Sequence, residues 1–344
     1  MGGPSSYAQA IPKARILKAT LLTPDKVKEM IATPDFKDAI AQLRDSLYTQ
    51  ASEASTIEEA TRQLETAYMK ILARLERASP PDGSEVVAAF RRDYELRDIL
   101  TALQRVIVGS PGLYELPSYH VENSLLRRIT QDPEALASHT RFIEALEATW
   151  AHRYLVLADK IYRDTRNPML VSWAHLYGSL DMYTAQLSEH SHVDTLHRVI
   201  CPIVEQRVAH SLIQAKVGGI DSKLVEQLIA PARRCGLDIM QLRQAYDREA
   251  IAEDLAASVR DLFKYVRLEG NTVGEILSSI RRTSRMALKT AVRIAFESYP
   301  FTPAIVAAAS AMIRIEVEDV NAILTSISMR LKPDEYSNLL IIDK

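Results

Sequence analysis

Apolar residues recur at steps of three and four along most of the chain. Ile57, Ala60, Leu64, Ala67, Ile71, Leu75 and Ala78 form one stripe separated by Glu, Arg and Gln, which predicts an amphipathic helix. Ser55 with Glu58 fits a capping box at its start, and Ser79-Pro80-Pro81-Asp82-Gly83 predicts the turn that ends it. Phe142, Leu146, Trp150, Tyr154, Leu157 and Ile161 share one side of a stretch that predicts a longer helix from Glu134 to about Tyr162, with Pro133 where a first-turn proline is tolerated. Two further helices are expected, Pro303 to Arg314 and Val317 to Leu331. No series of alternating strands joined by hairpin turns is present, so the expected class is all-α.

Breaks fall at intervals. Gly109-Ser110-Pro111-Gly112 with Pro117 marks one and Gly218-Gly219 another, dividing the chain into 1–118, 119–222 and 223–344. The similar lengths invite a search for an internal repeat. YELRDILTAL (94–103), VEQRVAHSLI (204–213) and EDVNAILTSI (318–327) align Glu95, Glu205 and Glu318, with Asp98, Val208 and Asn321 three residues later.

Composition adds limits. The chain has 344 residues, long enough for two or three domains. Its 42 alanines favour helix, while 11 glycines and 15 prolines are few for an all-β or disordered chain. Forty-two basic against 44 acidic residues give a net charge of -2, which argues against a body that coats nucleic acid. Basic and acidic residues number 15 and 16, 10 and 12, and 17 and 16 in the three thirds, so none is an electrostatic specialist. The longest suitable uncharged run, Ser298 to Ile313, is 16 residues and is broken by Pro300 and Pro303, so no membrane span is expected. Nor does the N-terminus resemble a signal peptide. Two cysteines, Cys201 and Cys235, cannot staple a fold of this size, and a reduced compartment is the simplest reading.

The familiar catalytic strings are missing. There is no Walker-type phosphate loop, no G-x-G-x-x-G, no G-x-S-x-G, no H-E-x-x-H, no C-x-x-C and no aspartate-rich D-D-x-x-D. No catalytic, cofactor-binding or metal-ligating residue is therefore assigned. All eight histidines lie between His120 and His210. His190, His192 and His197 raise a zinc reading, but the spacing of the first two does not suit one helical face and no Cys or paired acid completes a set. A polar loop running into a helix start is preferred. His152, His175 and His210 each sit alone among apolar neighbours and read as hydrogen-bonded structural histidines.

Two patterns are candidates for partner contact. Arg281, Arg285, Lys289 and Arg293 are spaced by four, so they line one helical stripe, and no acid falls between the first and the last. Like charges at this spacing cost about 0.2–0.5 kcal/mol per pair in an isolated helix, so something should offset them. Either the ladder docks on an acidic partner, or acids of a neighbouring helix of this chain face it. Nucleic acid is disfavoured because no aromatic residues interleave the ladder. The second pattern is a set of oily connectors: Ile107 to Tyr114, Met169 to Trp173, and Tyr299-Pro300-Phe301. Such loops tuck into their own core or, if exposed, present Leu113, Tyr114, Trp173 and Phe301 to an apolar partner.

The N-terminal Tyr7-Ala8, Arg15, Lys18 and Leu21-Leu22, followed by Leu43, Ser46 and Tyr48, resemble the opening helices of the C subunit of archaeal A-type ATP synthases, the relative of the d subunit in V-type ATPases. Glu95 with Asp98 and Glu318 with Asn321 fit the same pattern. So does Phe301 to Leu340, with its short helix, Glu316-Val317-Glu318-Asp319-Val320-Asn321, Ile323 and Leu339-Leu340. The middle third departs most, with Val208 where the others have Asp or Asn. The resemblance implies three related helical domains around a pseudo-threefold axis, forming a funnel on the cytoplasmic face of a membrane rotor ring. It implies a peripheral, non-catalytic adaptor that takes the tip of the central stalk and needs no cofactor. The rival readings are an α-helical scaffold that binds protein segments, and an all-α enzyme with an unrecognised site.

Overall fold

A computed structural model describes residues 4–110, 112–187, 193–337 and 340. Among them the chain is helical throughout, with short 3-10 turns between α-helices and no strand. Three hairpins of longer helices organise it: α1 (Ile57–Ala78) with α2 (Pro81–Ile107), α3 (Ala174–Ala185) with α4 (Val193–Val217), and α5 (Val273–Glu297) with α6 (Pro303–Ser328).

The second helices run 27, 25 and 26 residues and carry the core. The most enclosed is α6. Its first half, from Pro303 to Ala311, is buried on every side. A helix apolar all round belongs in an interior, and the run of small residues from Ala307 to Ala311 lets neighbouring backbones come close. The helices α1, α2, α4 and α5 all pack against it. The packing is also cyclic: α2 lies on α3, α4 lies on α5, and α6 returns to α1.

Several boundaries differ from the sequence expectation, each for a local reason. The cap of α1 is Thr56, whose hydroxyl accepts from the Glu59 N–H, while the Glu59 carboxylate accepts from Ser55 N–H and O–H. The cap thus forms one residue later than Ser55 and Glu58 predict, and the Glu59 carboxylate reaches back to Ser55 instead of to the cap residue itself. After α1 only Ser79 and Pro80 are spent on the turn, because Pro81 is well placed as a first helical residue. Gly83 is inside α2, where an added Cβ would stand 3.2 Å from the Tyr7 hydroxyl oxygen.

The single helix expected from Glu134 to Tyr162 is three pieces: Pro133–Leu136, His139–Glu144 and His152–Thr165. Ser138 restarts the helix by accepting from the Arg141 N–H, which breaks the run. Phe142, Leu146, Tyr154 and Ile161 are buried all the same. Conversely, Pro303–Arg314 and Val317–Leu331 are one helix, since nothing between them interrupts the backbone ladder.

Cys201 and Cys235 form a disulfide, which corrects the expectation of two reduced thiols. It joins α4 to the 3-10 turn Ala230–Cys235. None of the described helices is long and apolar enough to cross a membrane.

Candidate functional site

Each of the three long second helices has a buried glutamate near its middle that accepts a backbone N–H from a segment beyond its own hairpin. Glu95 Oε1 on α2 takes Leu125 N–H at 2.6 Å, Glu205 Oε2 on α4 takes Tyr265 N–H at 2.6 Å, and Glu316 Oε2 on α6 takes Leu22 N–H at 2.9 Å. The sequence order of donors and acceptors is cyclic. Helix α2 holds the stretch before α3, α4 holds the stretch before α5, and α6 holds the stretch before α1. Additional partners differ. Arg91 bridges to Glu95 at 2.9 Å, the amides of Lys264 and Val266 join Tyr265 around Glu205, and the Tyr48 hydroxyl faces Glu316.

Burial raises all three carboxyls above the ordinary range, and raises Glu316 to about 7. In Glu95 and Glu205 the hydrogen bonds and nearby cations oppose that shift. Glu316 has Tyr48 and Leu22 opposing it, but Asp319 adds to the rise.

The same register returns at the helix ends. Fourteen residues beyond each of these glutamates stands a left-handed residue: Gly109 at φ 75, Gly219 at φ 62 and Arg330 at φ 59. At each end the next residue's N–H reaches back five positions, Ser110 to Arg105, Ile220 to Ala215 and Leu331 to Ser326, at 2.8–2.9 Å. This is the Schellman closure of a helix C-terminus. The residue of the third helix that makes the recurring contact is therefore Glu316, not Glu318, and its partner three positions on is Asp319, not Asn321. Glu318 instead pairs with Arg314 at 2.9 Å, and the Asn321 side-chain oxygen accepts from the Thr61 hydroxyl at 2.6 Å. In the first helix Asp98 accepts from Ser118 N–H at 2.9 Å, whereas Val208 of the middle helix is simply buried.

Where the three hairpins meet lies a buried acid, Asp93 of α2. Its carboxylate meets Arg207 of α4 at 2.5 Å, His175 of α3 at 2.9 Å, the Tyr183 hydroxyl of α3 at 3.1 Å and Arg314 of α6 at 3.5 Å. All three hairpins thus converge on one carboxylate. Burial opposes its charge, but Arg207, His175 and Arg314 together hold it ionised well below the ordinary carboxylate range. Beside it opens a cleft of about 390 Å³ lined by Trp173, His175, Arg207, His210 and Arg314 among others. His175 and His210 are therefore not alone among apolar neighbours. His175 serves the Asp93 cluster, and burial with the nearby Arg281 and Arg207 lowers the pKa of His210.

The basic ladder divides along α5. Arg285 is 2% exposed and lies between helices, 2.6 Å from Asp319 and 3.7 Å from Glu318, with its guanidinium also donating to the Ile315 carbonyl at 2.9 Å. Acids of α6, a neighbouring helix of the same chain, offset this rung, and Arg285 has no open face toward an outside partner. Arg281 is half-buried, toward His210. Lys289 is half-buried and Arg293 exposed, and both line a groove of about 480 Å³ with Lys18 on its rim and Leu21, Val292 and Met312 within.

The apolar connectors divide too. Leu113 is buried, so it belongs to the core, while Tyr114 is 63% exposed. Trp173 is half-buried on the central cleft, and Phe301 is half-buried with its ring 5.3 Å from that of the exposed Tyr299. His190 and His192 lie outside the described residues; His197 stands 3.4 Å from the Cys201 sulfur. Sequence reasoning missed Asp93, Arg207 and Arg314. The one available signal was Arg314, a lone cation in an otherwise apolar run of α6.

The sequence matches the family model described as ATP synthase (C/AC39) subunit over residues 10–339. It is also similar to the C subunit of the A-type ATP synthase of Pyrococcus furiosus, with 17% identity over 347 aligned residues that cover 98% of this chain and 90% of that protein.

Proposed function

We propose, from the premise that this chain belongs to the ATP synthase (C/AC39) subunit family, that it is a mechanical adaptor seating the central stalk on the membrane rotor ring. Subunits of this family are structural and non-catalytic, parts of A/V-type ATP synthase complexes. The finer role rests on one observation, the closed cycle of buried contacts. Segments 1–118, 119–222 and 223–344 act as three repeats about a pseudo-threefold axis, forming a funnel. Each repeat's long helix grips the opening segment of the next through Glu95, Glu205 or Glu316. A part that transmits torque must not open at a seam, and a ring closed on itself has no free end. Asp93, held by all three hairpins, ties the same helices at the centre.

The partners of this reading are stalk subunits and the ring, and the chain is peripheral to the cytoplasmic face of the membrane. Arg281, Lys289 and Arg293, together with Tyr114, Trp173 and Phe301, are the surface available for docking.

Affinity purification of the tagged chain from native membranes tests the role. Stalk and ring subunits should co-purify, and deleting the chain should detach or uncouple the ATPase head while the head still hydrolyses ATP. Intact coupling in the deletion strain would refute the proposal.

A further inference from the structure

Outside the contacts already described, one cluster of ligating side chains stands out. His197 Nε2, Cys201 Sγ and Cys235 Sγ all lie within 4.8 Å of one another. His197 and Cys201 are one helical turn apart on α4, so both project from the same face. Cys235 is brought to them by the 3-10 turn Ala230–Cys235, which Gly236 closes in a left-handed conformation at φ 86. Of the His197 ring nitrogens, Nε2 is the one turned toward sulfur, at 3.4 Å.

We propose that His197, Cys201 and Cys235 form a thiol-gated site for a thiophilic divalent cation of the zinc class, closed as the disulfide and open as the dithiol. Two thiolates and one imidazole suit such a cation, with a fourth position left for water. The opening step needs a thiol reductant of low molecular weight. Its thiolate attacks the sulfur of Cys235, the more exposed residue at 8% against 0% for Cys201, and the S–S bond breaks with the Cys201 thiolate as leaving group. A second reductant thiolate then resolves the mixed disulfide. In sum two reductant thiols become one reductant disulfide, and the protein gains two electrons and two protons as Cys201 and Cys235 thiols. Binding a divalent cation then releases those two protons. The cation would take over the link between α4 and the Ala230–Cys235 turn that the disulfide makes in the oxidised chain.

The test uses the whole purified chain, reduced anaerobically with a phosphine, freed of reductant and titrated with cobalt(II). One equivalent should bind, giving a thiolate-to-cobalt charge-transfer band that one equivalent of zinc(II) abolishes. The oxidised chain should give no band. Cys201→Ser and Cys235→Ser should each lose most of it, and His197→Ala should weaken binding by at least about tenfold. Reduced protein that keeps its helical circular dichroism but shows no band overturns the proposal, as does a band that survives Cys235→Ser. If reduction itself melts helix, one equivalent of zinc(II) should restore the signal; failure to restore it would mean that the disulfide is a structural clasp only.

Discussion

A carboxylate inside a helix bundle is tolerated when donors replace its lost water, and Glu316 shows what happens when the replacement is incomplete. Leu22 N–H and the Tyr48 hydroxyl serve it, but no cation among the described residues does so directly and Asp319 adds repulsion, so burial raises its pKa to about 7. The native state therefore holds a proton that the unfolded chain releases near the ordinary glutamate value. Between those two values the native state binds more protons, so stability falls as pH rises and levels off above about 7. The loss is at most about 3.5 kcal/mol from this residue. Glu95 and Glu205 are shifted in the same direction. Glu316→Gln retains an oxygen for Leu22 and removes the titration. Its melting temperature should match that of the parent near pH 5, exceed it at pH 8, and change less between the two. Parallel pH profiles would show that Glu316 does not sense pH. Asp93 is the opposite case. Arg207, His175 and Arg314 keep it ionised, and no titration is expected from it in this range.

Among the elements, the long second helices share both a central glutamate and a left-handed terminus, and the terminus gives a test with two signs. Gly219 has open space where a Cβ would stand, so Gly219→Ala should cost only the backbone penalty of φ 62, about 1 kcal/mol. Arg330 already bears that penalty at φ 59, and it is exposed, so Arg330→Gly should stabilise by up to about 1 kcal/mol. Urea midpoints should shift in opposite directions, and a shared direction would show that the two termini are not the same device. These termini also explain what the sequence could and could not disclose. The stripe from Ile57 to Ala78 and the glycines at 109 and 219 announced their helix and its breaks, because periodicity and punctuation are local. The third terminus carries Arg330 instead of glycine, so no glycine marked its left-handed turn, although the expected end at Leu331 falls beside it. In Glu316-Val317-Glu318-Asp319 two glutamates compete for one register. Only the hydrogen bond to Leu22, 294 residues away in sequence, decides between them. The cluster around Asp93 was invisible for the same reason: its partners lie 82 to 221 residues from Asp93 and make no spacing pattern with it.

At the scale of the whole molecule the basic stripe of α5 divides between a buried pair of the fold and the proposed docking surface, which one substitution series can separate. Arg285 is enclosed and paired with Asp319 at 2.6 Å. Removing one partner of such a pair leaves the other charge buried alone, at a cost of about 3–5 kcal/mol. Arg285→Gln should therefore lower the melting temperature markedly in the free chain, with little dependence on salt, because buried pairs are poorly screened. Lys289 and Arg293 stand further along the same helix beside an apolar groove with Lys18, and among its lining residues there is no acid. A surface of that kind suits an acidic amphipathic segment, which the proposed stalk or ring partner would supply. An exposed charge such as Arg293 contributes under about 1 kcal/mol to folding. Arg293→Gln should then leave melting nearly unchanged and weaken association with the proposed stalk or ring partner, and the deficit relative to the parent should shrink as salt rises. Measuring melting and partner binding for both variants at low and high salt distinguishes the outcomes. Equal destabilisation by the two variants, with binding intact, would assign the entire ladder to the chain's own fold and remove the groove from the docking surface. Unchanged melting with weakened, salt-sensitive binding for the Arg293 variant alone would place the boundary between fold and partner surface within the two helical turns from Arg285 to Arg293.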